Sequence, residues 1–201
     1  MRAWHFVGET LRDGSPVPAD GVWLEHMGPV EMCVSGLHFS IDAFDALSYA
    51  PGDILCLDEV EGDVVLGKDK GVCRRRKIVA RIDATDMLRY YARMQALSVV
   101  DRWDAPQVVL DWLMTGEEQY RAKASAARSA SASAASSQAA RSAAISADSA
   151  SYSAAESAAY SASYSAESAA YSPARSADST ARSTARLAAR SDFNDLVNEC
   201  F

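Results

Sequence analysis

Hydrophobic and polar positions change their pattern along this chain. Short apolar runs punctuated by turn residues occupy roughly the first 80 positions, apolar residues at helix spacing follow, and the last third is almost free of large apolar side chains. Residues 2–7 read as a first strand, and Asp13-Gly14, Pro16, Pro18 and Asp20-Gly21 as a loop or hairpin. Met32–Val34 and Leu37–Phe39 flank Ser35-Gly36. Ser40 then caps a predicted helix carrying Phe44, Leu47 and Ala50, which Pro51-Gly52 ends. Ile54–Val60 is a strand, Asp63–Leu66 its extension or partner, and Lys77–Ile82 another. From Asp83 to Val100, the residues Met87, Tyr90, Tyr91, Met94 and Leu97 recur at helix spacing, with Asp83 or Thr85 as the cap. Asp104 caps a further helix with Pro106 in its first turn and Val109, Leu110 and Leu113 facing inwards, closed by Thr115-Gly116.

A different period governs the remainder. Glu156, Tyr160, Tyr164, Glu167, Tyr171, Arg175, Asp178, Arg182 and Arg186 repeat at 4-4-3 spacing, an 11-residue period of about 3.67 residues per turn. A stripe of Ala159, Ala166, Ala170, Ala174, Ala177, Ala181, Ala185 and Ala188 runs beside them. Between Arg121 and Arg190 there are 28 Ala and 20 Ser in 70 residues, and no glycine follows Gly116, so nothing is expected to turn this rod back on itself. Ala favours helix. A row of small side chains stabilises a helix only when another backbone approaches closely, which predicts self-association along the Ala stripe. Pro173 should kink the rod or restart it with Ser172 as cap. Unbroken, it would span on the order of 100 Å at 1.5 Å per residue.

The expected organisation is therefore α+β. A small mixed-sheet head with two C-terminal helices covers 1–118, an Ala/Ser-rich helical rod 119–191, and a tail 192–201. Charge divides along the same line: the rod holds 8 basic and 4 acidic residues, the rest of the chain 12 and 23. An acidic head argues against nucleic-acid binding. No apolar run is long enough to span a membrane. Cys33, Cys56, Cys73 and Cys200 show no C-x-x-C spacing and read as reduced thiols of a cytosolic protein. His5, His26, Cys33 and His38 fit no zinc spacing, so no metal is expected. Trp4, Trp23, Trp103 and Trp112 read as core, and Arg74-Arg75-Arg76-Lys77 as an exposed turn and strand start.

The run Gly36-Leu37-His38-Phe39-Ser40, with Phe44-Asp45-Ala46-Leu47 and Tyr49-Ala50, resembles an uncharacterised domain family common in bacteriophage and prophage proteins. Asp83-Ala84-Thr85, Trp103-Asp104-Ala105-Pro106 and the Ala-rich repeats extend that resemblance over nearly the whole chain. It implies a phage setting, in the cytoplasm of an infected bacterium or in the virion. Trp4-His5 and Gly36-Leu37-His38-Phe39, with Tyr49 ten intervening residues after His38, are also similar to ADP-ribosyltransferases of the poly-ADP-ribose polymerase type. Leu55–Val60 looks like that family's next strand. The resemblance implies a ribose-binding His5 and a nicotinamide held between rings at His38 and Tyr49, with Phe39 beside them. Where that family needs its catalytic Glu, ahead of Lys77-Ile78-Val79, this chain has Arg76. A guanidinium cannot stabilise a developing oxocarbenium ion.

The leading expectation is a non-enzymatic phage-type accessory or structural protein without a cofactor. It would form a homo-oligomer through the rod and bind a phage or host protein. The alternative is an NAD-using ADP-ribosyltransferase, or a nucleotide-sequestering protein, built on His5, His38 and Tyr49 with Glu59 or Glu61 as the carboxylate.

Overall fold

The computed structural model describes residues 1–102, 104–134, 143, 145, 164, 168, 169 and 179–201. The elements among them are β1 (Arg2–Val7), β2 (Trp23–Glu25), β3 (Leu37–Phe39), α1 (Ala43–Leu47), β4 (Ile54–Leu66), β5 (Gly71–Asp83), α2 (Thr85–Leu97), α3 (Gln107–Thr115), α4 (Glu118–Ala134) and α5 (Ser179–Asn198). They fall into two compact units, Met1–Thr85 with Phe193–Phe201, and Asp86–Asp192.

The first unit is a five-stranded sheet built on the long β4–β5 hairpin. β1 pairs with β4, while β2 and β3 pair with successive stretches of β5, all antiparallel. The mixed sheet expected from the sequence is thus an antiparallel one. Trp4 and Ser40 exchange two backbone hydrogen bonds of 2.8 Å, which bring the end of β3 back to β1. The sheet therefore curls until β1, β4, β5 and β3 surround a common interior. Two bulges, between Leu57 and Asp58 and between Glu61 and Val64, help it bend.

That bridge explains a shift at the next element. Ser40 is committed to extended pairing with Trp4 and cannot cap a helix. Asp42 does so instead, its side chain accepting from the Phe44 N–H. Met32–Val34 is a turn closed by Glu31 and Ser35, with Cys33 at φ 64°. The Arg74–Arg76 run lies inside β5 and not in a turn, because β5 begins at Gly71. Gly71 permits that start. A Cβ there would lie 2.5 Å from Phe39 Cζ.

In the second unit, α2 buries Leu88, Tyr91, Ala92, Gln95 and Ala96, and α3 buries Val109, Trp112 and Leu113. α3 begins after Pro106 rather than at Asp104, and Gly116 ends it in the left-handed conformation at φ 70°. The expectation that nothing turns the chain back is overturned: the Tyr91 hydroxyl donates to the Ala189 carbonyl at 3.0 Å, and Gln95 Nε2 to Asp192 Oδ2 at 3.3 Å. The buried positions of α5, Ala189, Phe193 and Val197, repeat every fourth residue, one turn-face along from the exposed Ala188. Ala185 is half-buried, Ala181 is helical, and Tyr164 is helical and exposed. Ala159, Ala166, Ala170, Ala174, Ala177 and Pro173 with its expected kink lie outside the described residues, as does Trp103.

Candidate functional site

Alternation along β1 turns Ala3, His5 and Val7 to the same side, and pairing sets them opposite Asp58, Cys56 and Ile54 of β4. Two apolar clusters fill that interior. One holds Ala3, Phe39, Val60 and Cys73, the other Val7, Cys56 and Ile78. Between them lies a layer of ionisable groups. His5 is 8% exposed, Asp58 0% and Arg76 9%. His5 Nδ1 stands 2.5 Å from Asp58 Oδ2, and Arg76 Nε 3.9 Å from the same oxygen. The His5–Asp58 contact is the closer of the two and favours the charged imidazole, against its burial. Arg76 also donates through Nη1 to the His38 carbonyl.

The physical consequence is a neutral imidazole. Burial holds the His5 pKa below its ordinary value, the Arg76 guanidinium adds to the effect, and Asp58 opposes both. Burial likewise pushes the Cys56 thiol up to about 12 and Cys73 to about 11. Nothing in this layer is presented to solvent as a free nucleophile or base.

A second group forms on the surface, where the tip of the β4–β5 hairpin meets the segments flanking β3 and α1. The turn is closed by Gly67 N–H to Lys70 O at 2.8 Å. Tyr49, 47% exposed, donates its hydroxyl to Asp69 Oδ2 at 2.6 Å, and Lys70 Nζ lies 4.4 Å from its ring centroid. His38 Nε2 accepts from the Cys33 N–H at 3.2 Å. Its pKa is lowered first by burial and then by Lys70, whereas the Asp69 hydrogen bond raises that of Tyr49. The Cys33 side chain hydrogen-bonds Lys70 and raises the lysine's pKa.

The residues singled out from sequence thus divide between two environments. His5 and Phe39 are interior, while Tyr49 meets Lys70 at the surface and the half-buried His38 lies within electrostatic reach of the same lysine. Glu59 is paired with Lys77 at 2.7 Å and Glu61 with Arg75, both partly exposed. The carboxylate beside His5 is Asp58, which sequence reasoning passed over. Its signal was available: Asp58 sits midway between Cys56 and Val60, at the inward parity of an otherwise apolar strand. Asp69 and Lys70 were equally legible as the tip between Gly67 and Gly71. Trp23, read as core, is half-buried beneath Arg75 and Lys77, at 4.6 and 4.7 Å. His26 meets Pro29 O at 3.1 Å and Ser35 Oγ at 3.2 Å. Among the described residues, no three His, Cys, Asp or Glu side chains gather as a metal site, and no helix is long and apolar enough to cross a membrane.

A family model described as a domain of unknown function (DUF7666) matches residues 1–90. The match contains every strand among the described residues, α1 and the start of α2, and it agrees with the expectation of an uncharacterised domain in this part of the chain. Neither the comparison with curated proteins nor that with solved structures gives a match.

Proposed function

We propose that the protein is a non-enzymatic accessory or structural protein of phage type, in which the β-rich head binds a partner and the Ala/Ser-rich helical segment mediates self-association. The observation that carries the non-enzymatic part is Arg76. At the position where transferases of the resembled type carry a catalytic Glu, this chain buries a guanidinium between Asp58 and the His38 carbonyl. Glu59 and Glu61, the substitutes nearest in sequence, are held by Lys77 and Arg75. The phage setting rests on the resemblance of the Gly36–Ala50 run and of the Ala-rich repeats. Self-association rests on the Ala stripe.

The test is incubation with labelled NAD, which should leave no ADP-ribose on the protein or on bacterial lysate. Robust transfer that His5→Ala abolishes would overturn the proposal in favour of the NAD-using alternative.

A second reading is favoured by Tyr49 and Lys70. An exposed ring beside an ammonium, with His38 on the same surface, suits an anionic ligand that carries an aromatic base. In that reading the head binds a nucleotide without consuming it. Calorimetric titration with NAD and with AMP would distinguish sequestration from protein binding: heat lost in Tyr49→Ala supports it, and no heat with either ligand counts against it.

A further inference from the structure

α1 is five residues long, well short of what sustains an isolated helix in water. Its N-terminus is held from outside the matched domain. Asp42 Oδ1 accepts from the Phe44 N–H at 2.9 Å, Asn194 Oδ1 accepts from the same N–H at 3.3 Å, and Asn194 Nδ2 donates to Asp42 Oδ2 at 3.0 Å. Asn194 is therefore a second cap, supplied from 150 residues further along the chain.

Apolar contacts reinforce it. Phe193 has none of its surface exposed and meets Phe44 edge-on, with ring centroids 6.2 Å apart. Val197 is buried, and Phe201 meets Trp4 of β1 edge-on at 5.1 Å. At the other end of α1, the Tyr49 N–H donates to Ala46 O at 3.0 Å, so the turn presenting Tyr49 to Asp69 and Lys70 continues directly from the helix.

We infer that the C-terminal segment Phe193–Phe201 is a positioning element for the surface around Tyr49, acting by capping and packing α1. A five-residue helix released from this strap loses its second cap and its aromatic partner, and the following turn loses its anchor. The β4–β5 hairpin keeps its own ladder and does not depend on the strap. The importance of this device rests on the reading of the Tyr49 surface as a binding site. Its test observes the protein's own atoms and no ligand, so failure of one is distinguishable from failure of the other.

The experiment is amide hydrogen exchange on the full chain, with ¹³Cζ-tyrosine NMR, for the natural sequence, Asn194→Ala, Phe193→Ala and the exposed control Asn198→Ala. Asn194→Ala and Phe193→Ala should speed exchange of residues 43–49 at least tenfold while β4 and β5 stay protected. The Tyr49 phenol should then titrate closer to its ordinary range, and Asn198→Ala should change nothing. Unchanged exchange at 43–49 in Asn194→Ala would overturn the inference. So would an equal rise throughout β4 and β5 in that variant, because the segment would then be a shared part of the core and not a local strap.

Discussion

Asp58 and Arg76 face each other inside the curled sheet, Oδ2 to Nε 3.9 Å, with His5 closing on the same carboxylate oxygen. Both members of the pair are buried, so their mutual attraction offsets a desolvation cost that neither could bear alone.

Asp58→Ala leaves the Arg76 guanidinium buried without its counter-charge. It should destabilise the protein by about 3–5 kcal/mol, read from urea unfolding followed by tryptophan fluorescence. Replacing Asp58 and Arg76 together by Leu should recover most of that loss. A single substitution that costs under about 1 kcal/mol would mean that the pair behaves as a surface ion pair.

Stability should fall on mild acidification through His5. Its folded pKa lies below the ordinary 6.5 because burial, Arg76 and Arg81 outweigh Asp58, so the unfolded chain takes up this proton first as pH drops. The His5 contribution is fully present above the unfolded value and is lost as pH falls through 6.5 towards the folded value. Urea midpoints at pH 7.5, 6.5 and 5.5 should decline, and His5→Gln should flatten the decline across that interval. Parallel slopes for the two proteins would exclude His5 as the source.

Thiol labelling should separate two classes. Cys33 and Cys200 are exposed, whereas Cys56 and Cys73 are buried and pushed up to about 12 and about 11. The thiolate is the reacting form. At pH 8 a maleimide should therefore modify two of the four thiols in the native protein and the other two only after unfolding, counted by intact mass.

Replacing Ala170 and Ala181 with Leu should wedge associating helices apart and alter the oligomer, while Tyr164→Ala should do little. On the proposed self-association, a Ser-rich helix held alone by propensity and by i,i+4 pairs of about 0.2–0.5 kcal/mol would gain its missing stabilisation from close backbone packing. Analytical ultracentrifugation decides it: a helical monomer unchanged by the Leu variant would leave this segment as a spacer or a surface for another protein.

Local chemistry made much of the head legible. β1, the β4 strand with its extension, α2 and the Gly116 end of α3 all follow from alternation, helix spacing and residues whose backbone freedom punctuates a chain, whereas α1 ends at Leu47 with Ser48 as its C-cap, short of the expected Ala50 and Pro51-Gly52 stop. Those signals are short-range. The Ser40 cap failed because a hydroxyl beside a helical pattern says nothing of the Trp4 backbone that claims the same residue. β2 was missed because three residues carry too little pattern, and their partners Arg75 to Lys77 lie at least 50 residues away in sequence. The grouping of the candidate residues depends on curvature. The sheet closes through one bridge, which sends His5 inwards to Asp58 and leaves Tyr49 outside with Lys70. The last residues are the clearest case: composition set 192–201 apart as a tail, whereas Phe193, Asn194 and Phe201 complete the first unit. Burial of an aromatic side chain and sharing of a helix cap are satisfied wherever the surface exists, and that surface forms only once β1 and α1 have folded together.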